Sequence, residues 1–139
     1  MPAGDVFRRV EPGTAANFDR LPRWDVSGVA ALRASYAAVG PPPTPPDPRV
    51  VRRDAVIEGV DGRPDVPVRW YRPADTAGEL PCLVWLHGGG YVMGTLDEND
   101  DRLDRMVREL GCAVVSVDGR LAPAHPYPAG LDDAETVWR

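Results

Sequence analysis

The chain has 139 residues, 43% of them hydrophobic and 27% charged, which suits one ordinary domain with a packed core and excludes wholesale disorder. Its formal net charge of −5 argues against nucleic acid or an anionic membrane surface as a partner.

Residues 1–24 are polar and broken by proline, with Phe7, Phe18, Leu21 and Trp24 as scattered apolar anchors. They read as a loosely ordered arm. The start carries no apolar signal core, and no run in the chain is long enough to span a bilayer, so the expectation is a soluble, cytoplasmic protein. Ser27 stands where an N-cap belongs, Val29, Leu32, Arg33 and Tyr36 follow at helical spacing, and Gly40 supplies a stop; this short Ala-rich helix suits a lid or cap. The proline run of residues 41–48 is an extended, stiff spacer. It sets a boundary between residues 1–48 (arm, cap helix, linker) and the domain over residues 49–139.

Residues 50–59 and 66–71 are β-rich and flank a turn-forming VDGRPD segment, which predicts an antiparallel pair. Residues 80–86 and 112–117 are continuously apolar, the pattern of strands covered on both faces. Cys82 and Cys112 open these two runs and read as reduced core cysteines. Between them, Leu103, Met106, Val107 and Leu110 form one apolar helical stripe. Thr95 and Glu98 have capping-box spacing, Asp97, Asp100 and Asp101 sit at the positive end of the dipole, Arg105 and Arg108 lie towards the other end, and Gly111 closes the helix. Asp97, Asn99 and Asp101 mimic the start of a calcium loop, but Arg102 and Arg108 occupy the positions that need Gly and Glu, so these carboxylates read as a solvated helix start. Strand, helix, strand makes a right-handed βαβ unit. A last helix begins near Pro128 and runs to Arg139.

The chemically loaded stretch is LPCLVWLHGGGYVMG, residues 80–94. A dinucleotide fingerprint fails, because Gly88 and Gly90 require a glycine where Met93 stands, and a P-loop fails because Thr95 follows Gly94. Three side-chain-free residues at the carboxyl end of a buried strand instead allow close approach to their backbone N–H groups, the requirement of an oxyanion hole. WLHGGGYVMG resembles the HGGG motif of α/β-hydrolase-fold esterases and lipases of the hormone-sensitive-lipase family. VDGRLAPAHPYPAGLDD, residues 117–133, is similar to that family's V-D-Y-R-L-A-P-E-H-P-F-P-A-x-x-D-D segment. The resemblance covers residues 25–139.

It implies an α/β class with a partial α/β-hydrolase fold: the first four strands of a mostly parallel sheet in order 1-2-4-3, an antiparallel first pair, flanking helices and an N-terminal cap helix. It also implies oxyanion-hole roles for His87, Gly88, Gly89 and Gly90, with Gly89 and Gly90 as donors, Gly88 shaping the turn and His87 orienting the loop. Tyr91 and Val92 would line an acyl pocket. Asp118 and Arg120 would hold the loop after the strand, His125 would position it, and Asp132 and Asp133 would serve the start of the last helix. Gly119 and Ala124 depart from the family's Tyr and Glu and remove side-chain contacts from this loop.

The family's nucleophile lies in G-x-S-x-G. None of Ser27, Ser35 or Ser116 has the flanking glycines, and the only histidines are His87 and His125, so no nucleophile, acid and base triad is present in the chain. The expectation is the N-terminal, oxyanion-hole part of a carboxylic ester hydrolase, inactive alone, acting on a small-molecule ester when completed, without cofactor or metal and without nucleic acid or membrane partners. The strand over residues 80–86 would be an unpaired apolar edge that invites self-association. The alternative is a non-catalytic binding module derived from the same fold, which a clean soluble monomer would favour.

Overall fold

The computed structural model describes residues 23–39 and 44–139 together with Thr14, and the chain divides into two compact units, residues 1–40 and 41–139. The first carries helix α1 (Val29–Val39), which has no buried residue. Leu32 N–H donates to Gly28 O at 2.9 Å, so the helix starts one residue later than a Ser27 cap implies; the Ser27 N–H is taken by Asp25 Oδ1 at 2.9 Å. Trp24 packs edge-on against Tyr36, with centroids 5.5 Å apart. The anchors Phe7, Phe18 and Leu21 and the Gly40 stop lie outside the described residues.

The division falls at residue 40 rather than 48 because the end of the proline spacer is tied to the sheet unit. Asp47 N–H donates to Asp104 Oδ2 at 3.1 Å, and Thr44 O accepts from Arg52 Nη1 at 3.1 Å.

The sheet has four strands, β1 (Val50–Ile57), β2 (Val66–Pro73), β3 (Cys82–Leu86) and β4 (Ala113–Val117), ordered β1-β2-β4-β3. β1 and β2 are antiparallel with Asp54 opposite Arg69, β2 runs antiparallel to β4, and β3 pairs parallel to β4 with Leu86 opposite Val117. The β1–β2 connection turns where expected: Arg63 N–H donates to Val60 O, and Asp65 Oδ1 accepts from Gly59 N–H. Helix α2 (Asp100–Leu110) crosses between the parallel strands, and α3 (Ala129–Trp138) follows β4.

Alternation on the strands builds two cores. Tyr71, Leu103, Val107 and Val114 are completely buried with Val50 and Cys112 under α2, while Val66, Val68 and Val117 form a smaller cluster joined by Val137 of α3. Gly111, in the left-handed region at φ 63°, ends α2 as its position demanded.

Four expectations need correction. β3 is not covered on both faces: its centre is half-buried, and Cys82 and Leu86 are exposed, because it is the edge strand. Consequently only Cys112 is a core cysteine. The capping box does not form; a 3₁₀ turn (Asp97–Asn99) precedes α2, and Thr95 meets Glu98 through side chains at 3.4 Å. The helix start is solvated only in part: Asp97 and Asp101 are exposed, as read, while Asp100 and Asp104 are 5% and 4% exposed, paired with Arg52 at 2.7 and 2.6 Å.

Candidate active site

The glycine segment leaves the carboxyl end of β3 beside the carboxyl end of β4, the edge where parallel α/β sheets place ligands. Gly89 makes the sharp turn. Its φ is 125°, its carbonyl accepts from both Val92 and Met93 N–H at 3.2 Å, and a Cβ there would lie 1.9 Å from Met93 O. The turn-shaping role expected of Gly88 therefore falls on Gly89. Gly90 sits at φ 60° with open space where a Cβ would be. The next residue, Tyr91, stays left-handed at φ 63° despite its side chain, a conformation that costs about 1–3 kcal/mol.

His87 lies under the loop. Its Nδ1 is 2.7 Å from Gly88 O, and a Cβ on Gly94 would come within 2.2 Å of the same ring nitrogen. Gly94 (φ 117°) is thus small because the imidazole occupies that space, a reason not visible in the local sequence.

Among the described residues, no backbone carbonyl accepts from the N–H groups of Gly88, Gly89 or Gly90. Beside them is a cavity of about 390 Å³ walled by His87, Gly88, Gly90, Tyr91, Met93 and, from the facing loop, Gly119, Arg120 and Leu121. Tyr91 and Met93 stand at this wall, and Val92 is not among its lining residues. Unpaired amides next to a cavity are donors available to a ligand oxygen.

The facing loop is anchored from below. Asp133, 2% exposed, accepts from Arg120 N–H at 2.7 Å and from Arg120 Nε at 2.9 Å, and Arg120 Nη2 reaches Ala129 O at 3.2 Å. Arg120 therefore holds the loop with Asp133, not with Asp118, which is exposed and enters through its N–H on Pro67 O. Asp133 is a loop anchor rather than a helix-start residue, whereas Asp132 pairs with Arg63 at 3.3 Å. Gly130 lets the helix approach: a Cβ there would be 3.1 Å from Arg120 O. His125 is exposed and joins its turn through its N–H on Leu121 O at 3.0 Å. Ala122 N–H donates to Tyr91 O at 2.9 Å, so the two sequence motifs are tied together at the cavity mouth.

Ser116 is fully buried on β4 with no partner for its hydroxyl among the described residues, and Ser35 Oγ donates to Leu32 O. No cluster of three or more potential metal ligands occurs among the described residues, and none of their helices is long and apolar enough to cross a membrane.

Comparison with known proteins agrees with this geometry. A family model described as the α/β hydrolase fold matches residues 83–139. Carboxylesterase NlhH of Mycobacterium tuberculosis is 43% identical over 113 residues, which cover 81% of this chain and 34% of that protein. Ethyl acetate hydrolase of Pseudomonas putida is 43% identical over 76 residues, covering 53% and 24% respectively. Among solved structures, bacterial heroin esterase superposes with a TM-score of 0.79 at 34% identity, over 94% of this chain and 42% of that one. An esterase of the bacterial hormone-sensitive lipase family gives a TM-score of 0.63 at 28% identity, over 100% and 43%. The chain spans about a third of the length of the first of these curated relatives.

Proposed function

We propose that this chain, which belongs to the α/β-hydrolase-fold esterases of the hormone-sensitive-lipase family, supplies the oxyanion-holding half of a carboxylic ester hydrolase. The observation that carries the reading is the set of N–H groups on Gly88, Gly89 and Gly90, which no described carbonyl accepts, in a loop whose Gly88 and Gly90 line a cavity at the carboxyl end of the sheet.

In that reading a serine hydroxyl from outside these 139 residues attacks the ester carbonyl carbon while a base, also from outside them, takes its proton. The carbonyl π pair moves onto oxygen, and the resulting anion is met by the Gly89 and Gly90 N–H groups. Collapse re-forms the carbonyl and breaks the bond to the alkoxy oxygen, which leaves as the alcohol with that proton, and water, deprotonated by the same base, then releases the acid and restores the serine hydroxyl. Backbone donors already in position need no reorganisation when the charge appears, and losing one such donor typically costs about 10²–10³ in rate. His87 orients the loop through its contact with Gly88 and is not the base. Short acyl chains or small aryl and alkyl esters suit a cavity with Tyr91 and Met93 at its wall. No cofactor or metal takes part.

The test is a chimaera in which residues 25–139 replace the matching N-terminal part of the Mycobacterium carboxylesterase. It should hydrolyse p-nitrophenyl butyrate, and Gly89→Ala, whose Cβ would collide with Met93 O, should lower kcat by roughly 10²-fold. An active chimaera indifferent to Gly89→Ala overturns the reading. The 139-residue chain alone should show no turnover, and specific hydrolysis by it, lost when Gly89 and Gly90 are changed together, would refute that part.

A further inference from the structure

The glycine loop is held at a place its own residues do not reveal. Beyond Gly94 the chain passes through the 3₁₀ turn to Asp100, the first residue of α2. The Asp100 carboxylate is buried and receives Tyr71 Oη at 2.6 Å, Arg52 Nη1 at 2.7 Å and Arg69 Nη1 at 3.2 Å. The same Arg69 nitrogen donates to Asp97 Oδ1 at 2.6 Å, and Arg69 is itself aimed by Asp54, whose Oδ1 accepts from Arg69 Nε at 2.6 Å. Burial first, and the bond to Asp100 second, push the Tyr71 hydroxyl well above its ordinary pKa, so it stays a donor.

Two tasks are separable here. Arg52 holds α2 against β1, forking onto Asp104 at 2.8 and 2.6 Å and reaching Asp100. Arg69 does something else. Asp97 is outside α2 and its side chain is 60% exposed, so its bond to Arg69 adds little to helix packing; what it fixes is the path between Gly94 and the helix. Arg69 is held by a two-point fork on Asp54, through Nε at 2.6 Å and Nη2 at 3.2 Å, and this aims its Nη1 at Asp97 and Asp100 with a direction that apolar packing of the same stretch would not set.

We propose that Arg69 and Tyr71 are positioning residues of the glycine loop. Through Asp97 and Asp100 they pin the loop's exit to β2, while Leu86 pairing with Val117 sets its entry and Ala122 holds its tip. The Gly88, Gly89 and Gly90 N–H groups are thereby held in one arrangement before a ligand arrives. The purpose of the clamp rests on the oxyanion reading above; its mechanics do not.

The test uses the 139-residue chain without ester. Wild type, Tyr71→Phe, Asp97→Ala and Val107→Ala are compared by ¹⁵N relaxation at Gly88, Gly89 and Gly90 and by hydrogen exchange at Val92 and Met93. Val107, a residue of α2, packs in the same apolar core as Tyr71 but makes none of the clamp's hydrogen bonds or ion pairs, so its variant reports what loss of packing alone does. In wild type the glycine order parameters should be near the rigid value of about 0.85, falling towards 0.6 in Tyr71→Phe and Asp97→Ala. Exchange at Val92 and Met93 should quicken by roughly tenfold in Tyr71→Phe and less in Asp97→Ala, with Val107→Ala lagging both. Asp97 is exposed, so its variant reads the clamp even if Tyr71→Phe folds poorly. Unchanged glycines in Asp97→Ala, or an equal response in Val107→Ala, overturns the proposal and leaves the oxyanion reading intact. A chimaera unable to hydrolyse esters overturns that reading and leaves the clamp standing.

Discussion

The two faces of the sheet are each crossed by one helix of similar length, yet the helices grip it differently. Under α2 the contact is complete: Leu103 and Val107 are fully buried against Tyr71 and Val114, and Arg52 locks two carboxylates of the helix to β1. Under α3 only part of the helix is inward. Asp133 and Thr136 are buried and Val137 joins the small core, but Leu131 and Trp138 are 56% and 77% exposed. These two residues, with Cys82, Val84 and Leu86 of the edge strand, wall an apolar groove of about 600 Å³. One face is a finished core and the other is an open one. The glycine loop is therefore fixed from the finished side, where an anchor can be buried and directional, and its cavity opens at the edge between the two faces.

The sharpest way to break this contrast is Asp104→Ala, which takes from buried Arg52 the partner of its two-point fork and leaves it Asp100. It should cost about 3 kcal/mol, read as a large fall in the urea midpoint. An Arg63→Ala variant, which loosens α3 from the β1–β2 turn at more exposed pairs, should cost much less; equal losses would mean the faces do not differ. Next is the pair Leu103→Ala and Leu131→Ala, expected to cost about 2–5 kcal/mol and about 0.5 kcal/mol or less in the same assay. Gly94→Ala comes third. Its Cβ meets the His87 ring and its φ is 117°, so a loss of about 1–3 kcal/mol should appear with displaced His87 ring-proton shifts.

The smallest effect is common to both faces. Arg69 holds the Asp54 carboxyl below its usual range, and Arg63 does the same for Glu135. A carboxylate depressed in the folded state takes up its proton later than the unfolded chain does. Its stabilisation is therefore complete above the ordinary carboxylate pKa and is lost as pH falls below about 4. Thermal unfolding followed from pH 6 to 3 should show this decline, with Asp54→Asn and Glu135→Gln each making it shallower.

Much of the fold was legible from local pattern. The residue types at 50–59 and 66–71, the stripe through Leu103, Met106, Val107 and Leu110, and Gly111 as a stop give strands, a crossover helix and its end without tertiary information. The motif resemblance then supplied the 1-2-4-3 order. The edge position of β3 came with the same resemblance, but its half-exposed faces were not legible, because a continuous apolar run is the same string whether its faces are covered or open.

The sequence by itself determined the period of each element, the glycine run at the end of a strand, and the absence of a nucleophile motif. The tertiary structure decided which charges pair. Arg120 takes Asp133 rather than Asp118, Asp100 and Asp104 turn to Arg52 and Arg69 instead of water, and Asp97 meets Arg69 while staying exposed. Arg52 and Asp104 are 52 positions apart and Arg120 and Asp133 are 13, so no periodicity relates them. Pairing across such distances follows only once β1, β2 and α2 have packed, and a low-dielectric interior then leaves a buried charge little choice but its nearest opposite.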